Sequence, residues 1–175
     1  MIQNDKIDWI LQRRSIRKYS DKKISREEID TILKVAMYAP SAMNKQPWHF
    51  VVIDDRELLN KFMEFHPHAS FLKYASHAIL VCGDEQEQHD DGFWVMDCGA
   101  ATENMLLAAH GLGIGACWIG IHPREKRKEQ TKELFSLPEH VAPFALVSLG
   151  YPLEPRPMPE RYHPEKIHSN NWENK

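Results

Sequence analysis

Two stretches of this chain are dense enough in polar groups to build a site. The first, Arg13-Arg14-Ser15-Ile16-Arg17-Lys18-Tyr19, sets four cations and two hydroxyls within seven residues. Such a cluster can hold a phosphate, since a guanidinium fork grips two oxygens at once; it can equally be an exposed basic turn. The second, Pro40-Ser41-Ala42-Met43-Asn44-Lys45-Gln46-Pro47-Trp48, is a loop bracketed by prolines and rich in amides and a hydroxyl. Residues of these types make ordinary connectors, and they also supply the hydrogen bonds that the polar edge of a ring ligand needs.

Other candidates are weaker. His66-Pro67-His68 and His89-Asp90-Asp91 offer nitrogen and oxygen ligands, but not at the helical spacing of metal centres, so solvated loop histidines are expected and no metal site. Gly111, Gly113 and Gly115 alternate as in a dinucleotide fingerprint. They follow a helix and precede a strand, however, the reverse of the order that lays a pyrophosphate on a helix N-terminus. A helix stop is the expectation. The run from Arg124 to Glu129 mixes both signs and reads as a solvated face. Cys82, Cys98 and Cys117 are odd in number, widely spaced and set in apolar runs, so buried free thiols are expected.

These residues need a scaffold. Asp5 can cap a short helix with Ile7, Ile10 and Leu11 on one stripe. Ser25-Arg26-Glu27-Glu28 is a capping box, and the helix it opens carries Ile29, Ile32, Leu33 and Ala36 on one face before Pro40. Strands are predicted over 48–53, 78–82, 115–121 and 143–149, and helices over 56–65, 93–112 and 124–135. The 93–112 helix is too apolar all round for one amphipathic face. It must be covered on more than one side, which favours a homodimer. From 152 to 175 the chain is proline-rich and ends near Trp172, a pattern expected of an extended tail that wraps a partner subunit. The order of elements predicts one α+β domain over 1–175, with a core over 1–151. Its architecture is a three-layer α/β/α sandwich with a central mixed sheet.

Composition narrows the function. A length of 175 residues suits one domain, and 22 Lys+Arg against 25 Asp+Glu give a net charge of -3. That balance leaves no excess positive charge for a generic nucleic-acid binder. The start of the chain lacks a basic and then apolar leader, and 93–112 carries Asp97 and Glu103. A cytoplasmic protein without membrane attachment is therefore expected.

Four motifs in order, Arg-Arg-Ser-Ile-Arg at 13–17, Ala-Pro-Ser-Ala-Met-Asn-Lys-Gln-Pro-Trp at 39–48, Gly-Ala-Cys-Trp-Ile-Gly at 115–120 and Gly-Tyr-Pro at 150–152, occur here. Together they resemble the FMN-dependent nitroreductase family in its shorter-chain branch, over nearly the whole chain. The resemblance implies a homodimer with FMN at the interface and NADH or NADPH as co-substrate. It implies that Arg13 and Ser15 hold the phosphate and ribityl side with Arg14 lining the same region. Arg17 would sit beside flavin N1 and O2, where a cation answers the charge gained on reduction. Pro40, Ser41, Ala42, Met43 and Asn44 would reach the flavin from the other protomer. Trp118, Ile119 and Gly120 would run beside the ring, with the Ile119 N–H near N5. Family members commonly close a Lys-x-Arg pair over the phosphate; here the stretch is Pro159-Glu160-Arg161, so Arg161 is kept and one cation is lost. No catalytic acid, base or nucleophile is assigned. The implied activity is alternating hydride transfer to nitroaromatic, quinone or similar acceptors. A low-turnover flavin-binding or redox-sensing protein and a reductive dehalogenase are the alternatives.

Overall fold

The computed structural model describes residues 4–90 and 92–173. Five helices and four strands alternate after an N-terminal helix pair: α1 (Asp5–Gln12), α2 (Arg26–Met37), β1 (Trp48–Ile53), α3 (Arg56–Phe65), β2 (His77–Asp84), α4 (Phe93–Gly111), β3 (Gly115–Gly120), α5 (Glu125–Phe135) and β4 (Val141–Gly150). Local chemistry explains most boundaries. Ser25 caps α2 through the expected box, its Oγ accepting from Glu28 N while Glu28 accepts from Ser25 N. α1 is capped by Asn4 rather than Asp5: the Asn4 side chain accepts from Lys6 N, and Asp5 is already the first helical residue. α4 closes just before Gly113, whose φ of +72° is the left-handed turn that glycine adopts freely.

The sheet runs β1-β2-β4-β3, and every neighbouring pair is antiparallel. The expected mixed sheet is thus corrected. β2 and β3 do run in the same direction, joined by the long return of α4, but β4 inserts between them and opposes both. β1 and β2 are antiparallel although a helix joins them, because the chain after α3 doubles back through a short 3-10 turn (Ser70–Tyr74) and re-enters beside Ile53. A lone parallel bridge joins Ser15 to Ala116 on the outer edge of β3.

Helices cover both faces, so the three-layer arrangement stands. Ile79, Val81, Ala145 and Val147 pack with α2 and α4; Leu80, Cys82 and Leu146 face the α3 and α5 side with Leu59, Phe62 and Leu72. This alternation is what a sheet buried on both faces requires. All ten residues of β4 are buried, which makes it the spine of the molecule. Beyond Gly150 the chain leaves the core: Leu153 N donates to Lys18 O at 3.1 Å, and Leu153, Met158, Tyr162 and Trp172 are exposed. Among the described residues no helix is long and apolar enough to cross a membrane.

Candidate functional site

The outer edge of β3 organises the site. Ile16 N donates to Ala116 O at 2.9 Å, laying the basic segment along the first half of the strand. That approach needs a glycine: a Cβ on Gly115 would stand 2.8 Å from Ile16 Cβ. Buried Tyr19 pins the other end of the segment. Its hydroxyl bonds Ile16 O at 2.6 Å and Ser148 Oγ at 2.7 Å, and burial raises its pKa well above the usual phenol range.

Against this segment the tail closes a cavity of about 580 Å³ lined by Arg14, Ser15 and Arg17 on one side and Arg156, Pro159 and Arg161 on the other. Four guanidiniums and a hydroxyl face one space. Its only acidic lining residue, Glu154, is paired with Lys18 at 2.9 Å. Arg14 also holds the walls together: Nη1 donates to Leu11 O at 2.8 Å and Nε to Pro157 O at 3.1 Å. Arg13 lies elsewhere. Its Nε meets Glu103 at 3.3 Å, and it lines an adjoining pocket with Ile10, Leu11, Arg161 and Tyr162. Arg156, which the sequence reading did not single out, stands in the four-arginine cavity instead. Its only sequence signal was a cation inside a proline-rich tail.

Arg17 belongs to a second cleft as well, about 330 Å³, lined by Phe71, Trp118, Ile119, Gly120, His66 and His122 among others. The Arg17 guanidinium lies 5.7 Å from the Phe71 ring centre, where cation and aromatic face attract. Trp118 packs edge-on to Phe144, which fixes its ring. Here β3 is the outer strand of the sheet. Ladder alternation turns Ala116 outward to Ile16, and Ser148 Oγ approaches Cys117 O from the β4 side. Cys117 and Ile119 therefore point their backbone groups at β4, and Trp118 and Gly120 point theirs outward. By this alternation the N–H groups that face outward belong to Trp118 and Gly120 rather than to Ile119.

Gly120 O is held by His66 Nε2 at 3.0 Å and Arg127 Nη1 at 3.4 Å. A carbonyl only accepts, so His66 Nε2 carries the hydrogen, and Nδ1 accepts from His68 N at 3.4 Å. Burial lowers the His66 pKa, in keeping with a neutral ring. His66 is therefore a buried structural histidine, not the solvated loop residue expected; His68 is exposed and His89 half-buried. Asp91 lies outside the described residues. All three thiols are buried and free, as expected, and burial pushes the Cys82 thiol up to about 12. None is a nucleophile at neutral pH.

Pro40 to Asn44 lines neither cleft of the same chain. Its backbone is held open by left-handed residues, Met43 at φ 49° and Asn44 at φ 55°, and Ser41 Oγ accepts from Gln46 N at 3.0 Å. The anchor of this loop was missed in the sequence. Asp97, buried in α4, accepts from Ala42 N through Oδ1 at 2.9 Å. An acid early in a largely apolar helix was the available signal.

The Nitroreductase family model matches residues 10–79 and 66–151. A protein of Archaeoglobus fulgidus, provisionally named NADH dehydrogenase/NAD(P)H nitroreductase, is 50% identical over 170 residues, spanning 95% of this chain and 98% of its own. A crystal structure from Parabacteroides distasonis with the same provisional name superposes with a TM-score of 0.93 at 36% identity, covering 97% of this chain and 100% of that one. A provisionally named nitroreductase from Desulfovibrio desulfuricans, crystallised in complex with FMN, gives a TM-score of 0.85 at 30% identity over 98% of this chain and 99% of its own.

Proposed function

The chain belongs to the nitroreductase family of NAD(P)H oxidoreductases, and from that premise we propose that it binds FMN and works as a homodimer. On this reading it passes hydride equivalents from NADH or NADPH to small acceptors such as nitroaromatics and quinones. The observation that carries the reading is the pair of clefts sharing Arg17: a cavity rich in guanidinium beside an aromatic-lined cleft at the outer strand of the sheet. The residues fit the group. A phosphate dianion asks for several directed cations, and Arg14, Arg17, Arg156 and Arg161 surround one space. A planar ring system asks for a flat wall and main-chain donors, and Trp118 and Gly120 offer both.

FMN, when bound, supplies a site that accepts and returns hydride. The chain's own residues bind and orient. Arg156 and Arg161 would hold the phosphate from the tail, and Ser15 would donate its hydroxyl from the β3 side. Arg17, shared between the clefts, would put fixed positive charge beside the ring, where it would stabilise the reduced state. The Gly120 N–H would offer a main-chain donor that any residue but proline retains, and His66 and Arg127 hold the same residue by its carbonyl, in the next peptide group. No side chain needs to act as acid, base or nucleophile.

The homodimer reading is supported by an uncovered apolar groove of about 520 Å³, lined by Trp9, Val35, Tyr38, Leu107 and Ala108 between α2 and α4, and by Tyr38 at 79% exposure. A second subunit would bring its Pro40 to Asn44 loop to this chain's ring cleft. The test is direct. Purified protein should be yellow and dimeric, and its visible bands should bleach on anaerobic addition of NADH or NADPH. Protein that stays colourless after incubation with FMN refutes the reading; yellow protein that neither nucleotide bleaches supports a flavin-holding module instead.

A further inference from the structure

At the end of the sheet where β1 begins and β2 ends, His49 Nε2, an Asp84 carboxylate oxygen and a Glu87 carboxylate oxygen all lie within 4.8 Å of one another. We propose that these three side chains bind a divalent transition-metal ion, zinc above all, in a site that clasps the β2–α4 loop to the sheet and is separate from both clefts. His49 Nε2 stands 3.5 Å from Glu87 Oε2 and 3.9 Å from Asp84 Oδ2. These separations are too long for hydrogen bonds. The first matches the ligand-to-ligand edge of a zinc tetrahedron, about 3.3–3.6 Å for metal bonds of about 2.0–2.2 Å, and the second is a few tenths of an ångström longer. His140 Nε2 is 3.5 Å from the same Asp84 oxygen but stands outside the three-residue cluster, so water would complete the shell.

The scaffold beneath is built and firm. Asp84 is buried, its N–H donates to Pro47 O at 2.7 Å, and its other oxygen, Oδ1, accepts from Gln86 N at 2.8 Å. That last bond leaves Oδ2 aimed at the two imidazoles, the kind of outer-shell support that orients a carboxylate ligand. The ligands come from three places, β1, the end of β2 and the loop beyond it. A bound ion would therefore cross-link segments far apart in sequence. Imidazole with carboxylate favours zinc and its neighbours over magnesium or calcium, which prefer all-oxygen shells.

The test uses the full-length protein with its flavin, stripped of metal by a chelator and titrated calorimetrically with zinc chloride alone. One equivalent per chain should bind, and the melting temperature should rise with it. His49→Ala and Glu87→Gln should each weaken binding at least tenfold, and the double variant should lose the zinc-dependent thermal shift. His163→Ala, in the tail, should change nothing. His49 and Glu87 are exposed, so the variants should fold, which circular dichroism and the flavin bands report independently of zinc. Absence of saturable binding near one equivalent, or binding indifferent to both substitutions, overturns the site.

Discussion

Arg161 and Arg156 reach the guanidinium cavity from an otherwise exposed tail, so each should be separable from folding. Arg161→Ala should weaken FMN binding about tenfold to a hundredfold, the usual worth of a charge-assisted hydrogen bond, leaving the melting temperature of the flavin-free protein unchanged. Flavin retained through dialysis as in the parent would contradict the tail's part. Arg17→Ala should lower the flavin reduction potential, read by equilibrium redox titration. Asp97 offers a sharper contrast. Asp97→Asn keeps an oxygen for Ala42 N–H, whereas Asp97→Ala removes it and should release the Pro40 to Asn44 loop, seen as faster amide exchange at Ala42. The sequence made Arg14, Ser15, Arg17 and Arg161 visible because cations and a hydroxyl cluster in short motifs. It did not show that Arg13 would turn to Glu103, a helix and many residues away. Nor did it show which peptide groups of β3 face outward, since ladder parity depends on the partner strand.

The elements were more legible than their ends or partners. The capping box of α2 is a local signal and forms as read; Ser25→Ala should cost about 1 kcal/mol in urea unfolding. Strand cores at 78–82 and 143–149 stood out as apolar runs, yet β2 extends over His77–Asp84 and β4 over Val141–Gly150. His77, Gly83 and Asp84 of β2, and Val141, Ala142 and Gly150 of β4, are kept in the ladder by their neighbours, information absent from a local window. The short 3-10 turns escaped notice for the same reason. Strand direction was also hidden: no periodicity in the chain records that β4 would part β2 from β3. Gly115→Ala gives the corresponding test of packing. Its methyl would collide with Ile16, at a cost of about 1–3 kcal/mol, and should displace the basic segment from β3. A loss of FMN affinity larger in Gly115→Ala than in Ser25→Ala would link that packing to the site.

For the molecule as a whole, burial leaves several histidines reluctant to ionise. Desolvation lowers the pKa of His66, His77, His110 and His122. The unfolded chain therefore binds more protons between each lowered value and the ordinary histidine pKa of about 6.5. Stability should fall as pH drops through 6.5, so the urea midpoint should be lower at pH 5.5 than at pH 7.5. A flat midpoint across that interval would show that these rings ionise freely in the folded state.

The position of β4 also bears on how the protein is made. It is the last strand in the sequence yet an interior one, hydrogen-bonded to β2 on one side and β3 on the other. A nascent chain that has not yet emerged past Val141 exposes two unmatched strand edges and half a hydrophobic interior. Assembly of the sheet must wait until the chain through Gly150 is available, a strongly non-local route that is slow by nature. Ribosome-stalled or prematurely terminated products should accordingly be clients for chaperones and proteases rather than small folded subdomains.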